Sequence, residues 1–134
     1  MSDAIVIDTH VLLWWLAGSK RLTARAREVI AEASKVLVAP ITFWEVAMLV
    51  QKGRIELDRP IRMWVNDVVG SPSIDVAELT PQIAVEAGCL SDFHGDPADR
   101  LIYATASILK LALLTKDDKI RAFAKLHSGT RVIW

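Results

Sequence analysis

Four acidic residues that lie far apart in the chain hold matching positions relative to the predicted strands and helices. Asp8 ends the first predicted strand, and Asp117 directly follows the fourth. Glu45 lies in the first turn after the second strand, and Asp99 lies in the first turn of the helix before the fourth. Carboxylates brought within a few ångströms of one another repel and raise one another's pKa, so such a group requires a cation.

The ligand types in this acidic group indicate both the cation and the reaction. Oxygen ligands without His or Cys suit Mg²⁺ or Mn²⁺. Because Mg²⁺ keeps several waters and takes only one or two protein carboxylates directly, the other acids would hold waters or a second ion. Such a site permits metal-assisted hydrolysis of a phosphate ester, in which the metal polarises the attacking water and stabilises the oxyanions.

Helix capping explains each of these acids when it is taken alone. A short polar side chain at a helix start accepts hydrogen bonds from free backbone N–H groups, and acids favour the positive end of the helix dipole. A Thr followed three residues later by Glu is typical of a capping box. The candidates are Asp8 before Thr9, Thr42 with Glu45, Asp96 before Pro97 with Asp99 in the first turn, and Asp117 or Asp118 before the last helix. Taken together, their shared position favours the cation site.

The elements that must position these acids alternate between short apolar runs and helical patterns. The runs predict strands over 4–7, 36–39, 74–79, 111–115 and 130–134. The 3.6-residue patterns predict helices over 11–17, 22–33, 42–52, 61–69, from Pro81 onward, 97–110 and 119–127. This order predicts an α/β fold: an α/β/α sandwich with a central parallel sheet of about five strands. Because ligands bind beyond the carboxyl ends of such strands, all four acids are expected at one edge of the sheet.

Length and composition predict a single soluble domain over residues 1–134. The chain has a single cysteine, no apolar run long enough to span a membrane and no basic segment followed by an apolar one. We therefore expect a cytoplasmic protein that does not contact a membrane. Cys89, in an apolar helix, is expected to be a small core residue.

The formal net charge of zero argues mildly against a nucleic-acid partner, but the charges are segregated. Residues 1–27 carry four basic and two acidic groups, and residues 110–134 carry six basic and two acidic groups. The middle of the chain, residues 28–109, carries six basic and twelve acidic groups. A divalent cation on the acidic group would make that face more positive. The composition is thus compatible with modest, salt-sensitive binding to a nucleic acid.

Four stretches of the chain carry a resemblance to a known family. They are residues 7–14, 41–45, 96–102 and 114–117, and the block Asp96-Pro-Ala-Asp99-Arg100 followed by Thr115-Lys-Asp117 is the more specific part. At these residues the sequence resembles the PIN-domain family and, within it, the VapC ribonuclease toxins of bacterial toxin–antitoxin pairs. The resemblance covers nearly the whole chain.

This resemblance implies a Mg²⁺-dependent endoribonuclease, with Mn²⁺ as a possible substitute, that is the toxin of a type II toxin–antitoxin module. It implies an RNA substrate, a cognate VapB-type antitoxin and a homodimer. The family's metal-site and catalytic acids correspond to Asp8, Glu45, Asp99 and Asp117, with Asp8 and Asp99 as the direct ligands. Further contacts to ligands or substrate would come from Thr9, Asp96, Arg100 and Thr115. Spacing favours Asp117 over Asp118, and whether one or two ions bind is left open.

The histidines and tryptophans are not expected to take part in the reaction. A lone His is more often structural, and metal-activated water needs no imidazole, so His10 and His94 are left out of the site. The chain has more tryptophans than a core of this size needs, and Trp favours interfaces, so some are expected to meet a partner. Those on predicted helices are Trp14, Trp15, Trp44 and Trp64.

Two other functions are compatible with parts of the pattern. A phosphohydrolase of the haloacid dehalogenase type also begins with an Asp after its first strand, but it needs a second Asp two positions later, where this chain has His10. A non-catalytic PIN fold that acts as a binding module would not need all four acids. Neither the RNA target nor the cleavage motif can be derived from these residues.

Overall fold

Five short strands form one parallel sheet in the computed structural model of the protein, which describes residues 3–127 and 129–134. The strands are β1 (Ile5–Ile7), β2 (Val36–Val38), β3 (Ile74–Val76), β4 (Ala112–Leu114) and β5 (Val132–Ile133). They lie in the order β3-β2-β1-β4-β5, and every neighbouring pair is parallel. The predicted fold class is therefore confirmed.

Helices connect the strands and begin within two residues of their predicted starts. They are α1 (Thr9–Leu16), α2 (Ala24–Glu32), α3 (Pro40–Gln51), α4 (Ile61–Val69), α5 (Pro81–Cys89), α6 (Pro97–Leu109) and α7 (Asp118–Leu126). The start of α3 is the main correction, because Pro40 opens this helix two residues before the predicted start at residue 42. Pro lacks the N–H that a first helical residue cannot use, and its φ angle suits the helix.

Alternate residues of the strands pack on opposite faces of the sheet, which explains why the strands read as continuous apolar runs. In β1, Ile5 and Ile7 join a core cluster with residues of α1, α2 and α4, whereas Val6 joins a cluster with residues of α6 and α7. A smaller cluster between α5 and α6 contains Ile83 and Ala87. The sheet is thus buried on both faces, as the sandwich prediction requires.

Exposure decides the expectation for Cys89 and separates two of the tryptophans. Cys89 is exposed at the end of α5, so its assignment to the core is wrong. Its helix faces α6 with Ile83 and Ala87, and Cys89 lies off that stripe. Trp64 is buried in the core, whereas the side chain of Trp44 is 51% exposed.

No helix in the described part of the chain has the length and apolar character needed to cross a membrane. The cytoplasmic location stays a prediction.

The sheet order places a topological switch between β1 and β4. From β1 the chain moves outward to β2 and β3 on one side, and β4 and β5 complete the other side. At such a point the connections after two neighbouring strands leave in opposite directions and open a crevice at the carboxyl ends. Asp8 and Asp117 follow these two strands, so the topology itself brings the first and the fourth predicted acids to one crevice.

Candidate metal centre

Asp8 is buried at the carboxyl end of β1, with only 7% of its surface exposed. It is the N-cap of α1, since its Oδ1 accepts a hydrogen bond of 3.0 Å from the backbone N–H of Val11. Its Oδ2 accepts a hydrogen bond from the Thr115 hydroxyl, and its backbone N–H donates to the Leu114 carbonyl at 3.2 Å. Asp8 thus caps α1 as predicted, and it does so from the carboxyl end of β1.

Thr115 links Asp8 to the second acid. Its buried hydroxyl donates to Asp8 and accepts a hydrogen bond of 3.0 Å from the backbone N–H of Asp117. Asp117 in turn caps α7, because its Oδ1 accepts from the backbone N–H of Ile120 at 2.9 Å. The neighbouring Asp118 points away, with its side chain 97% exposed and 3.7 Å from Arg121. The structure therefore places Asp117, and not Asp118, in the crevice.

Asp99 enters from the first turn of α6, beside a histidine. The backbone N–H of Asp99 donates to Oδ1 of Asp96 at 3.2 Å, which confirms Asp96 as the N-cap of this helix. Oδ2 of Asp99 lies 2.7 Å from Nε2 of His94. Three ligand atoms lie within 4.8 Å of one another, one from each of His94, Asp99 and Asp117. Three residues from two separate segments thus converge on one small volume.

The electrostatics of the crevice disfavour uncompensated negative charge. Burial raises the pKa of Asp8 above its usual 3.8, against the hydrogen bonds from Thr115 and Val11, and Asp117 adds to the increase. Burial also raises the pKa of Asp99, to about 6; the His94 hydrogen bond opposes this, and Asp96 and Asp117 reinforce it. The charge of Asp117 therefore destabilises the ionised forms of both Asp8 and Asp99.

The donor set fits a divalent cation. No Lys or Arg in the described ranges forms an ion pair with Asp8, Asp99 or Asp117. A cation from solution can therefore neutralise the charge of these three carboxylates. Their hard oxygen atoms suit Mg²⁺ and Mn²⁺. The geometry supports the predicted site at the carboxyl edge of the sheet.

The raised pKa of Asp99 gives a pH prediction for the metal-free protein. Folding favours the protonated form of this carboxyl, so its contribution to stability is complete below pH 3.8 and is lost as the pH rises through about 6. In EDTA, the urea midpoint of unfolding should therefore rise as the pH falls from about 7 to about 5. Asp99→Asn should flatten this rise. A midpoint that falls over this window in the unchanged protein, or an equal rise in the variant, would contradict the assignment.

Glu45 and Thr9 are not among the residues that the structure joins in this cluster. Because α3 begins at Pro40, Glu45 lies in its second turn, half-buried. The capping box predicted for Thr42 and Glu45 is wrong, since Ala39 precedes the helix and no side chain caps it. Instead, the Thr9 hydroxyl donates to that of Thr42 at 3.1 Å, which ties the start of α1 to the start of α3.

Arg100 directs its guanidinium to the backbone before α6. Its nitrogens donate to the five carbonyl oxygens of Ala87, Gly88, Leu90, Phe93 and His94, at 2.8–3.4 Å. This arrangement fixes the segment that carries His94. A phosphate contact of Arg100 stays a prediction, and these five hydrogen bonds do not favour it.

His94 is the site residue that the sequence analysis missed. It lies two residues before the cap of α6, in a stretch with Gly95 and no regular secondary structure, so no periodic pattern predicts its direction. The signal available was its closeness in sequence to Asp96 and Asp99. Only the fold shows that the imidazole meets Asp99 and that its ring stacks on Phe93, with centroids 4.6 Å apart.

The fold and the site together define an α/β protein with a cluster of acidic side chains at the switch point of a parallel sheet. The chain belongs to the PIN domain family, which it matches over residues 5–126. It is 39% identical over 131 residues to Ribonuclease VapC22 of Mycobacterium tuberculosis, covering 97% of this chain and 98% of that one. The resemblance drawn from the four sequence stretches is confirmed.

Solved structures show the same fold at much lower sequence identity. VapBC2 from Rickettsia felis, bound to a DNA fragment from its promoter, matches with a TM-score of 0.67 at 12% identity, over 98% of each chain. A toxin–antitoxin complex from Klebsiella pneumoniae matches with a TM-score of 0.64 at 20% identity, over 97% of this chain and 96% of that one. These likenesses establish the architecture.

Proposed function

We propose that the protein is a Mg²⁺-dependent endoribonuclease, with Mn²⁺ as a possible substitute, and the toxin of a type II toxin–antitoxin module. The observation that carries the proposal is the group of Asp8, Asp99 and Asp117 at the β1–β4 crevice, where the pKa values of Asp8 and Asp99 are raised and no Lys or Arg of the described ranges pairs with the three acids. Such a group suits a cation, and a cation at an open sheet edge suits an extended phosphodiester substrate.

Each residue of the crevice has a distinct role in this proposal. Asp8, Asp99 and Asp117 would hold the cation, and Glu45 would reach it from α3, directly or through water. A bound divalent ion supplies a polarised water and stabilises the charge that develops on the phosphate. Thr115 orients two of the acids through its hydroxyl. Asp96 acts indirectly, because its cap fixes the first turn that carries Asp99.

Known relatives support the substrate and the partner. The relative at 39% identity is named a ribonuclease, and the solved structures with this fold include toxin–antitoxin complexes. We therefore propose RNA as the substrate, a cognate VapB-type antitoxin as the partner and a homodimer as the assembly. The exposed Trp44 on α3 is a candidate contact for one of these partners, since Trp is favoured at interfaces.

The geometry argues against a phosphohydrolase of the haloacid dehalogenase type. This type of enzyme needs a second Asp two positions after its nucleophile, and His10 holds that place. His10 is exposed and packs its ring near Trp14, so no second carboxylate is supplied from this position. A non-catalytic binding module is left as the alternative that the cleavage experiment tests.

Cleavage of an end-labelled single-stranded RNA tests the proposal directly. We expect fragments in the presence of Mg²⁺ or Mn²⁺, none in EDTA, and recovery when excess cation is added back. Expression in a bacterial host should arrest growth, and co-expression of a cognate antitoxin should relieve the arrest. Cleavage that persists in EDTA would contradict the metal mechanism, and cation binding without any cleavage would indicate a binding module.

A further inference from the structure

The imidazole of His94 lies within the candidate metal centre, and none of the roles described above for the acids uses it. Nε2 lies 2.7 Å from Oδ2 of Asp99, and a ligand atom of His94 is within 4.8 Å of one on Asp99 and one on Asp117. The two aspartates come from the starts of α6 and α7, whereas His94 comes from the segment before α6. The three ligand atoms thus come from three different backbone positions and lie close together.

The distances match those between ligands of one ion. For metal–ligand bonds of about 2.1 Å, neighbouring ligand atoms in an octahedron lie about 3 Å apart and opposite ones about 4 Å. The His94–Asp99 distance of 2.7 Å is close to the first value, and no two ligand atoms of the group lie more than 4.8 Å apart. An ion could therefore take Nε2 and the carboxylate oxygens together after only small movements of the side chains.

The backbone and ring of His94 are held in place independently of Asp99. The ring stacks on Phe93 at an interplanar angle of 18°, and the His94 carbonyl accepts a hydrogen bond of 3.1 Å from Arg100. Arg100 also binds the Phe93 carbonyl at 2.9 Å. A histidine fixed in this way has its side chain ordered before any ion arrives, which lowers the entropy cost of ligation.

We propose that His94 is a nitrogen ligand of the divalent cation, through Nε2, alongside Asp99 and Asp117. The inference rests on the proposed function, because it takes the crevice to be a cation site. It replaces the all-oxygen site predicted from the sequence with a mixed nitrogen–oxygen site. Imidazole suits transition-metal ions better than Mg²⁺, so His94 should favour Mn²⁺ over Mg²⁺.

Manganese binding by the full chain provides a test that does not depend on activity. With Mn²⁺ bound, pulsed EPR should show the coupling of a directly ligated ¹⁴N, and this coupling should disappear in His94→Gln. A Gln amide can still donate to Asp99 but supplies no imidazole nitrogen, so this variant separates ligation from hydrogen bonding. The two other histidines provide matched controls, and His10→Gln and His127→Gln should keep the coupling.

Calorimetric titration gives the second measurement. His94→Gln should weaken Mn²⁺ binding about 10-fold or more and Mg²⁺ binding less than Mn²⁺ binding. Mn²⁺ binding by the unchanged protein without ¹⁴N coupling, or an unaltered Mn²⁺ affinity in His94→Gln, would overturn this inference and leave the proposed function standing. Absence of any Mn²⁺ or Mg²⁺ binding would instead overturn the metal-dependent function and the inference with it. If His94→Gln does not fold, coupling that survives in His94→Asn would overturn the inference.

Discussion

Asp8→Asn should lower cation-dependent RNA cleavage by about 10³-fold or more, because a site that loses one acid loses several kcal/mol of charge stabilisation. The change should leave the fold intact. Asn keeps the oxygen that caps α1 through Val11, and its amide can donate to the Thr115 hydroxyl. Since burial raises the pKa of Asp8, removing this charge should also make the metal-free protein more stable at neutral pH.

The measurements are the cleavage rate at saturating Mg²⁺ and the melting temperature in EDTA. Asp118→Asn is the matched control, because Asp118 follows Asp117 in sequence but is exposed to solvent. This control should retain cleavage and the unchanged melting temperature. An Asp8→Asn protein that cleaves RNA at more than about a tenth of the normal rate would remove Asp8 from the site.

Arg100→Ala should have the largest effect on stability among exposed or half-buried positions. It removes a guanidinium that donates hydrogen bonds to five carbonyl oxygens. These hydrogen bonds tie the end of α5 and the segment before α6 to the first turn of α6. Hydrogen bonds to a charged group contribute about 1.5–3 kcal/mol each when measured singly, and they are not additive. We expect a loss of about 3 kcal/mol in the free energy of unfolding.

Urea denaturation checks this loss, with a second arginine as the control. Arg121→Ala removes a half-buried guanidinium whose ion pair with the exposed Asp118 is 3.7 Å long, and it should cost less than about 0.5 kcal/mol. Arg100→Lys should be intermediate, because an ammonium keeps the charge but lacks the planar fork that reaches several carbonyls. Equal losses for Arg100→Ala and Arg121→Ala would show that the five hydrogen bonds are not stabilising.

Local physical signals predict most of the fold. Short apolar runs separated by helical patterns can bury both faces only in a parallel sheet, and this sheet is present. Asp8, Asp96 and Asp117 are predicted as helix caps and are found as caps, because capping depends only on nearby backbone. The order of strands and helices then brings Asp8, Asp99 and Asp117 to one edge.

Long-range contacts account for what local patterns could not predict. The Thr42–Glu45 spacing fits a capping box, but the Thr42 hydroxyl bonds Thr9, which is 33 residues away. Arg100 is next to an acid of the candidate site, yet it turns to the backbone of the preceding segment. The position of His94 depends on that same backbone. In each case a partner outside the local window decides where the side chain points.

The hydrogen bond between Thr115 and Asp8 has a consequence for the time at which the crevice can form during synthesis. It joins residues 107 positions apart, so it requires β1 and β4 to be paired. A nascent chain that has not yet released residues 112–117 from the ribosome contains Asp8 but has neither Thr115 nor Asp117 to complete the crevice. Any chemistry of this crevice is therefore withheld until β4 and the residues that follow it have left the ribosome.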